Sequence, residues 1–194
     1  MPFSRFTLVA ITFFSFTLAS TGQQPEAPHT ATSVDDAFVH QQFGSNCSLI
    51  GLSPVSGDLD GDSVEDVVIP ARCTSPMQDQ AEDSYQVIDP FNAFFGYGNP
   101  AITTQFSTED PQRRGYSLLI IHGAGPDAWR SAKPKAKFMV VNLPFNQVIV
   151  KKLVVKKKTV MAIYVEESGA ASIMSVLFWD GKKYRYQPMG SSLE

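Results

Sequence analysis

The sequence has two cysteines, three histidines (His29, His40 and His122), no G-x-S-x-G, no G-x-x-x-x-G-K-[ST] and no repeat of fixed period. Each absence closes a class of function. The stretch "LLIIHGAGP" (118–126) has a His-Gly pair after a strand-like run, but it lacks the serine and the base that an acyl-transfer site requires. "GAGPDAW" has glycines after a strand but no lysine, and Pro126 removes a backbone donor, so it is no phosphate cradle. The histidines lack zinc-ligand spacing. His29 falls in a polar leader and His40 in an expected helix, while His122 reads as a turn residue at a strand end.

Long apolar runs are also missing after the amino terminus, so no membrane span is expected there. The one such run, Phe6 to Ala19, follows Arg5 and is too short for a comfortable span of about 20 residues. Small residues at 20–22 and the polar "QQPEAP" follow, as they do in a secretory signal peptide. A signal peptide over 1–22 is therefore expected, with the cut near Gly22 or at Ser20; the competing reading is an uncleaved anchor. No cysteine stands at the junction for a lipid. A flexible leader over 23–33 and one β-rich domain over 34–194 complete the expected organisation.

Positive charge is scarce in one half. Between Asp35 and Asp89 the only lysine or arginine is Arg72, whereas basic residues far outnumber acids from Arg113 to Arg185. Two solvated faces that partly neutralise each other explain this, and a polyanion-binding face is the alternative. The net charge of −3 makes nucleic acid a poor partner. A protein or glycan partner in the envelope or outside the cell suits an exported chain better.

What is present is mostly β. Cys47 and Cys73 flank an aspartate-rich stretch almost symmetrically, so if that stretch is a hairpin turn, both sulfurs fall at its open end. In an exported chain a disulfide is the natural inference, against a pair of reduced buried thiols. "SVDDAFVHQQFG" reads as a short helix capped by Ser33 and stopped by Gly44. "CSLIGLSPVSGD" reads as an extended arm and "DVVIPARC" as its partner, with Pro70 hinting at an edge strand or a bulge. Aromatic residues crowd "YQVIDPFNAFFGYGNP", which suggests a short helix or an ordered loop over the core.

From Tyr116 the strands "YSLLIIHG", "AKFMVVNL", "QVIVKKLVV", "KTVMAIYVEE", "ASIMSVLFW" and "KKYRYQP" follow one another, with Asp180-Gly181 marking a hairpin. The expected fold is mainly β (a β-rich α+β chain). Its antiparallel meander should close toward a sandwich or half-barrel, with one or two short helices. The lysines of "KKLVVKKK" read as edge or turn charges that oppose pairing between molecules.

The richest chemistry lies in "GDLDGDSVEDVVI" (57–69), where Asp58, Asp60, Asp62 and Asp66 stand at D-x-D-x-D-x-x-x-D spacing. Oxygen ligands at alternate positions of a tight loop converge, and Ca²⁺ takes six to eight of them. An EF-hand fails, because Ser63 and Ile69 occupy its glycine and glutamate positions. The stretch resembles the calcium loop of FG-GAP repeats, the integrin α-subunit propeller type. That resemblance implies side-chain ligation by Asp58, Asp60, Asp62 and Asp66 and backbone ligation by the Val64 carbonyl. Ser63 stands where that family usually has Gly, an exchange that removes no ligand. The motif occurs once, so a multi-bladed propeller is excluded. "FWDGKKYRYQ" is similar to the closing hairpin of exported bacterial proteins with a single D-x-D-G-D loop, which implies an extracytoplasmic location, periplasmic or secreted.

The resulting expectation is an exported calcium-binding structural or binding module. Its rivals are a secreted enzyme using Asp127, Glu166 or Glu167 as carboxylates, and a partner- or polyanion-binding adhesion or inhibitor module. Asn46 of "NCS" also fits a glycosylation sequon.

Overall fold

The computed structural model describes residues 33–95, 111–168 and 173–191. The expected signal peptide, all but the last residue of the leader and part of the aromatic run lie outside them. Nearly half of the described residues, 47%, are strand, arranged in two sheets without barrel closure. Among the described residues no helix is long and apolar enough to cross a membrane.

The first sheet has six strands. β1 (Cys47–Leu49) and β2 (Val55–Gly57) both pair antiparallel with β3 (Asp66–Cys73), so they are one arm broken by an excursion over 50–54. β3 pairs with β5 (Tyr116–His122), β5 with β6 (Ala136–Val140), and β4 (Gln86–Ile88) lies at the far edge. β4 runs parallel to β6. The expected all-antiparallel meander therefore describes only the second sheet, β7 (Phe145–Val155), β8 (Lys158–Glu167), β9 (Ile173–Trp179) and β10 (Tyr184–Ser191).

Cys47 and Cys73 stand directly opposite each other at the end of the β1–β3 pairing and form a disulfide. Pro70 lies within an interior strand, not at the expected edge or bulge. It is tolerated because β1 registers with residues 71–73 and β2 with 66–68, leaving the break in the arm opposite the missing N–H.

Helix α1 (Asp36–Phe43) is capped by Asp35, whose side chain accepts the Phe38 N–H at 2.8 Å. The cap thus lies two residues beyond Ser33, because Asp35 already presents a carboxylate to the free amides of the first turn. The helix lays Phe38, Val39 and Phe43 on Val67, Ile69, Leu119 and Ile121 of the first sheet. The alternate residues Val68, Leu118 and Ile120 point the other way, onto Ile163, Val165 and Leu177 of the second sheet. The first sheet is thereby buried on both faces, which is why β3 and β5 read as unbroken apolar runs. Each fully buried side chain of this kind contributes about 1.5–3 kcal/mol. A second helix, α2 (Pro90–Phe95), follows β4, and Phe94 meets Tyr186 of β10 edge-on at 5.6 Å.

Candidate metal centre

The loop over 58–65 joins β2 to β3 above the pair Gly57 and Asp66. Its aspartates first hold the backbone. Asp58 accepts the N–H groups of Gly61 (2.8 Å), Asp62 (3.0 Å) and Ser63 (3.0 Å), and Asp62 accepts that of Val64 at 2.9 Å. Gly61 and Ser63 both take left-handed backbone, φ 81° and 69°. Ser63 therefore adopts the conformation for which glycine is suited, with about 1 kcal/mol of strain.

Asp66 is fully buried at the start of β3. One of its oxygens accepts the Leu59 N–H at 2.7 Å and the other the Gly123 N–H at 2.8 Å. Burial outweighs these bonds and pushes its carboxyl up to about 6. Gly123 allows the approach. A Cβ there would stand 2.4 Å from the Glu65 carbonyl oxygen, so no side chain fits.

Asp58, Asp60 and Asp66 each offer a carboxylate oxygen within 4.8 Å of the others, an arrangement that could hold a metal ion. Asp62 is not in this group. Its carboxylate faces Lys135, whose Nζ lies 2.6 Å from Asp62 and 2.7 Å from Asp60. The hydrogen bond from Lys135 holds Asp62 below the usual carboxylate range, and the two carboxylates raise the lysine. An ammonium group thus already sits against part of the cluster.

The other neighbour is His122, which is buried and not the turn residue expected at its position. Its Nδ1 is 3.4 Å from the same Asp60 oxygen, and its Nε2 is 2.6 Å from the Tyr184 hydroxyl. Phe138, Trp179 and Tyr184 surround the ring, and burial holds its pKa below the ordinary value against the pull of Asp60. Burial also raises Tyr184. A neutral imidazole that accepts from Tyr184 and points Nδ1–H toward Asp60 fits these shifts.

Glu65 stands outside the cluster. It accepts from Ser56 at 2.8 Å, from the Trp129 indole at 3.0 Å and from Arg130 at 3.1 Å, and these bonds, that of Ser56 foremost, lower its pKa against burial. The carboxylates considered for an enzyme do not converge. Asp127 is exposed, Glu166 and Glu167 are successive residues of β8, and Glu167 is bound by the hydroxyls of Ser175 and Tyr186. Asn46 donates its amide to Asp79 at 2.7 Å.

The aspartate loop was visible from spacing; Lys135, His122 and Gly123 were not. Lys135 lies in "KPK", a pattern common to solvated turns, and its partners are more than seventy positions away. Only the His-Gly pair at the end of an apolar strand hinted at a special corner. No family model matches this chain, and no curated protein or solved structure matches it either.

Proposed function

We propose that the β2–β3 loop is a Ca²⁺ site that clamps the turn of an exported, disulfide-stapled β protein, in which the ion serves structure or the binding of a further molecule. The observation that carries this reading is Asp66, a buried carboxylate whose ionisation is opposed by burial, packed within 4.8 Å of two more carboxylates. Such a group gains most from a cation beside it. Asp58, Asp60 and Asp66 would be the first ligands. Asp62 and the Val64 carbonyl, which the FG-GAP resemblance adds, would join once Lys135 withdraws. The all-oxygen set suits a hard cation, and Ca²⁺ tolerates an irregular shell of such ligands where Mg²⁺ demands a smaller octahedral one. The disulfide is compatible with an extracytoplasmic location, periplasmic or secreted, where Ca²⁺ is available.

A second reading has its own observation: Lys135, bound to Asp60 and Asp62, is itself the cation, and the loop needs no metal. Thermal unfolding with Ca²⁺, Mg²⁺ and chelator, on wild type, Asp60→Ala and Lys135→Met, separates the two. On the calcium reading wild type gains about 2.7 kcal/mol at a hundredfold excess over Kd. Asp60→Ala loses that response, and Lys135→Met responds at lower calcium. A wild-type melting temperature indifferent to calcium, with Lys135→Met destabilised at every condition, establishes the lysine clamp instead.

A further inference from the structure

A cleft of about 1050 Å³ opens between the β2–β3 loop and the four-stranded sheet. Met161, Trp179 and Tyr186 give it apolar and aromatic lining, and Lys152, Lys156 and Lys158 bring positive charge to it. Register explains the arrangement. Lys152 stands directly opposite Met161 across the β7–β8 pair, so both project from the same face; Lys158, paired with Val155 in the opposite phase, and Lys156 reach the cleft from the tip of that hairpin.

The charge in this cleft is unevenly satisfied. Asp58 is held by backbone N–H groups, Asp60 by Lys135 and Asp180 by Arg185, whereas the three lysines have no acidic partner among the described residues. Three lysines without an acidic partner against one carboxylate without a cation among those residues, Asp58, leave the net uncompensated charge positive. The hairpin tip adds a separate observation. Lys156 and Lys157 form a two-residue turn with φ of 48° and 70°, a conformation that asparagine or glycine adopts with less strain. Strain retained at an exposed lysine turn points toward a use for the charge.

We propose that the cleft binds an amphipathic organic anion, with its acidic head at Lys152, Lys156 and Lys158 and its apolar body over Met161, Trp179 and Tyr186. The cavity has the dimensions of a small-molecule site, at the upper end of the roughly 300–1,000 Å³ common for such sites. A polyanion would track an extended row of cations and leave the apolar lining unused. The three lysines are gathered around one hairpin instead. This binding does not depend on calcium in the loop.

Trp179 reports on the cleft. The other tryptophan, Trp129, packs edge-on against Phe38 beyond the first sheet and can be replaced by Phe to leave one signal. Laurate, kept below its micellar concentration, should shift the Trp179 emission saturably with or without chelator. Dodecanol, the neutral analogue, should bind at least tenfold more weakly. The triple variant K152Q/K156N/K158Q should lose at least tenfold in laurate affinity at an unchanged melting temperature, since asparagine tolerates the backbone of position 156. Met161→Phe, which puts a rigid ring where the apolar body would lie, should weaken laurate binding at least tenfold. The proposal is overturned if dodecanol binds as tightly as laurate, if either variant binds laurate like wild type, or if chelator removes binding. It is equally overturned if dextran sulfate or inorganic sulfate displaces laurate, or if only phosphatidylglycerol vesicles bind.

Discussion

The two sheets are built from similar β-branched and aromatic residues but meet the solvent differently. β3 and β5 of the six-stranded sheet are buried almost throughout, while β7 of the four-stranded sheet is buried only at Phe145 and Val148 and leaves Val154 70% exposed. The first sheet lies between α1 and the second sheet; among the described residues no core cluster covers the far face of the second. Rigidity therefore concentrates in the first sheet, and the aspartate loop hangs from its most enclosed strand. The lysine hairpin extends from the open sheet, where charge is cheap to display. One cluster is thus held in place by what surrounds it, and the other by its own turn.

Substitution at matched apolar positions breaks this comparison most sharply. Leu119→Ala, fully buried in β5, should cost about 3–5 kcal/mol, whereas Val154→Ala in β7 should change stability by less than about 0.5 kcal/mol. Urea unfolding of both variants measures it, and equal losses would dissolve the distinction. The disulfide comes next. Opening a bridge across 26 positions should cost about 3 kcal/mol in the chain-entropy picture, felt by the first sheet and not by the lysine hairpin. Native protein should show no alkylatable thiol by mass spectrometry, and Cys47→Ala/Cys73→Ala should melt earlier.

The enclosed loop should also carry a pH signature that the open hairpin lacks. With its pKa raised from 3.8 to about 6, Asp66 stabilises the fold in its protonated form. That contribution is complete below pH 4 and is lost as pH rises through about 6, on the order of 2–3 kcal/mol in all. Calcium requires the ionised form, so its stabilising increment should grow between pH 4 and pH 7. Melting curves with and without calcium across that range test this, and a constant increment would count against Asp66 as a ligand. The smallest effect belongs to the hairpin tip: Lys157→Gly, at φ 70°, should raise stability by about 1 kcal/mol.

Much of this was legible locally. The β7 to β10 strands are legible as β-rich runs separated by turn residues because each pairs with its sequence neighbour. Asp58, Asp60 and Asp66 were legible because their convergence is imposed within one loop. The parallel edge β4 was not, since its partner β6 lies some fifty positions on. Nor was the placement of Pro70, which depends on a break in a different strand. His122 and Lys135 escaped for the same reason. Their chemistry is set by residues that only the folded first sheet brings to them.

The parallel pairing of β4 with β6 also bears on the order of assembly. The four-stranded meander needs only successive hairpins, whereas the six-stranded sheet stays open at one edge until residue 140 has been synthesised and β6 is in place. Loop closure over such separations slows pairing. The second sheet should therefore gain amide protection first in pulse-labelled exchange. The folding chain would then spend its slowest step with the edge of β6 exposed, the interval in which it is most open to chaperones and to pairing with other chains.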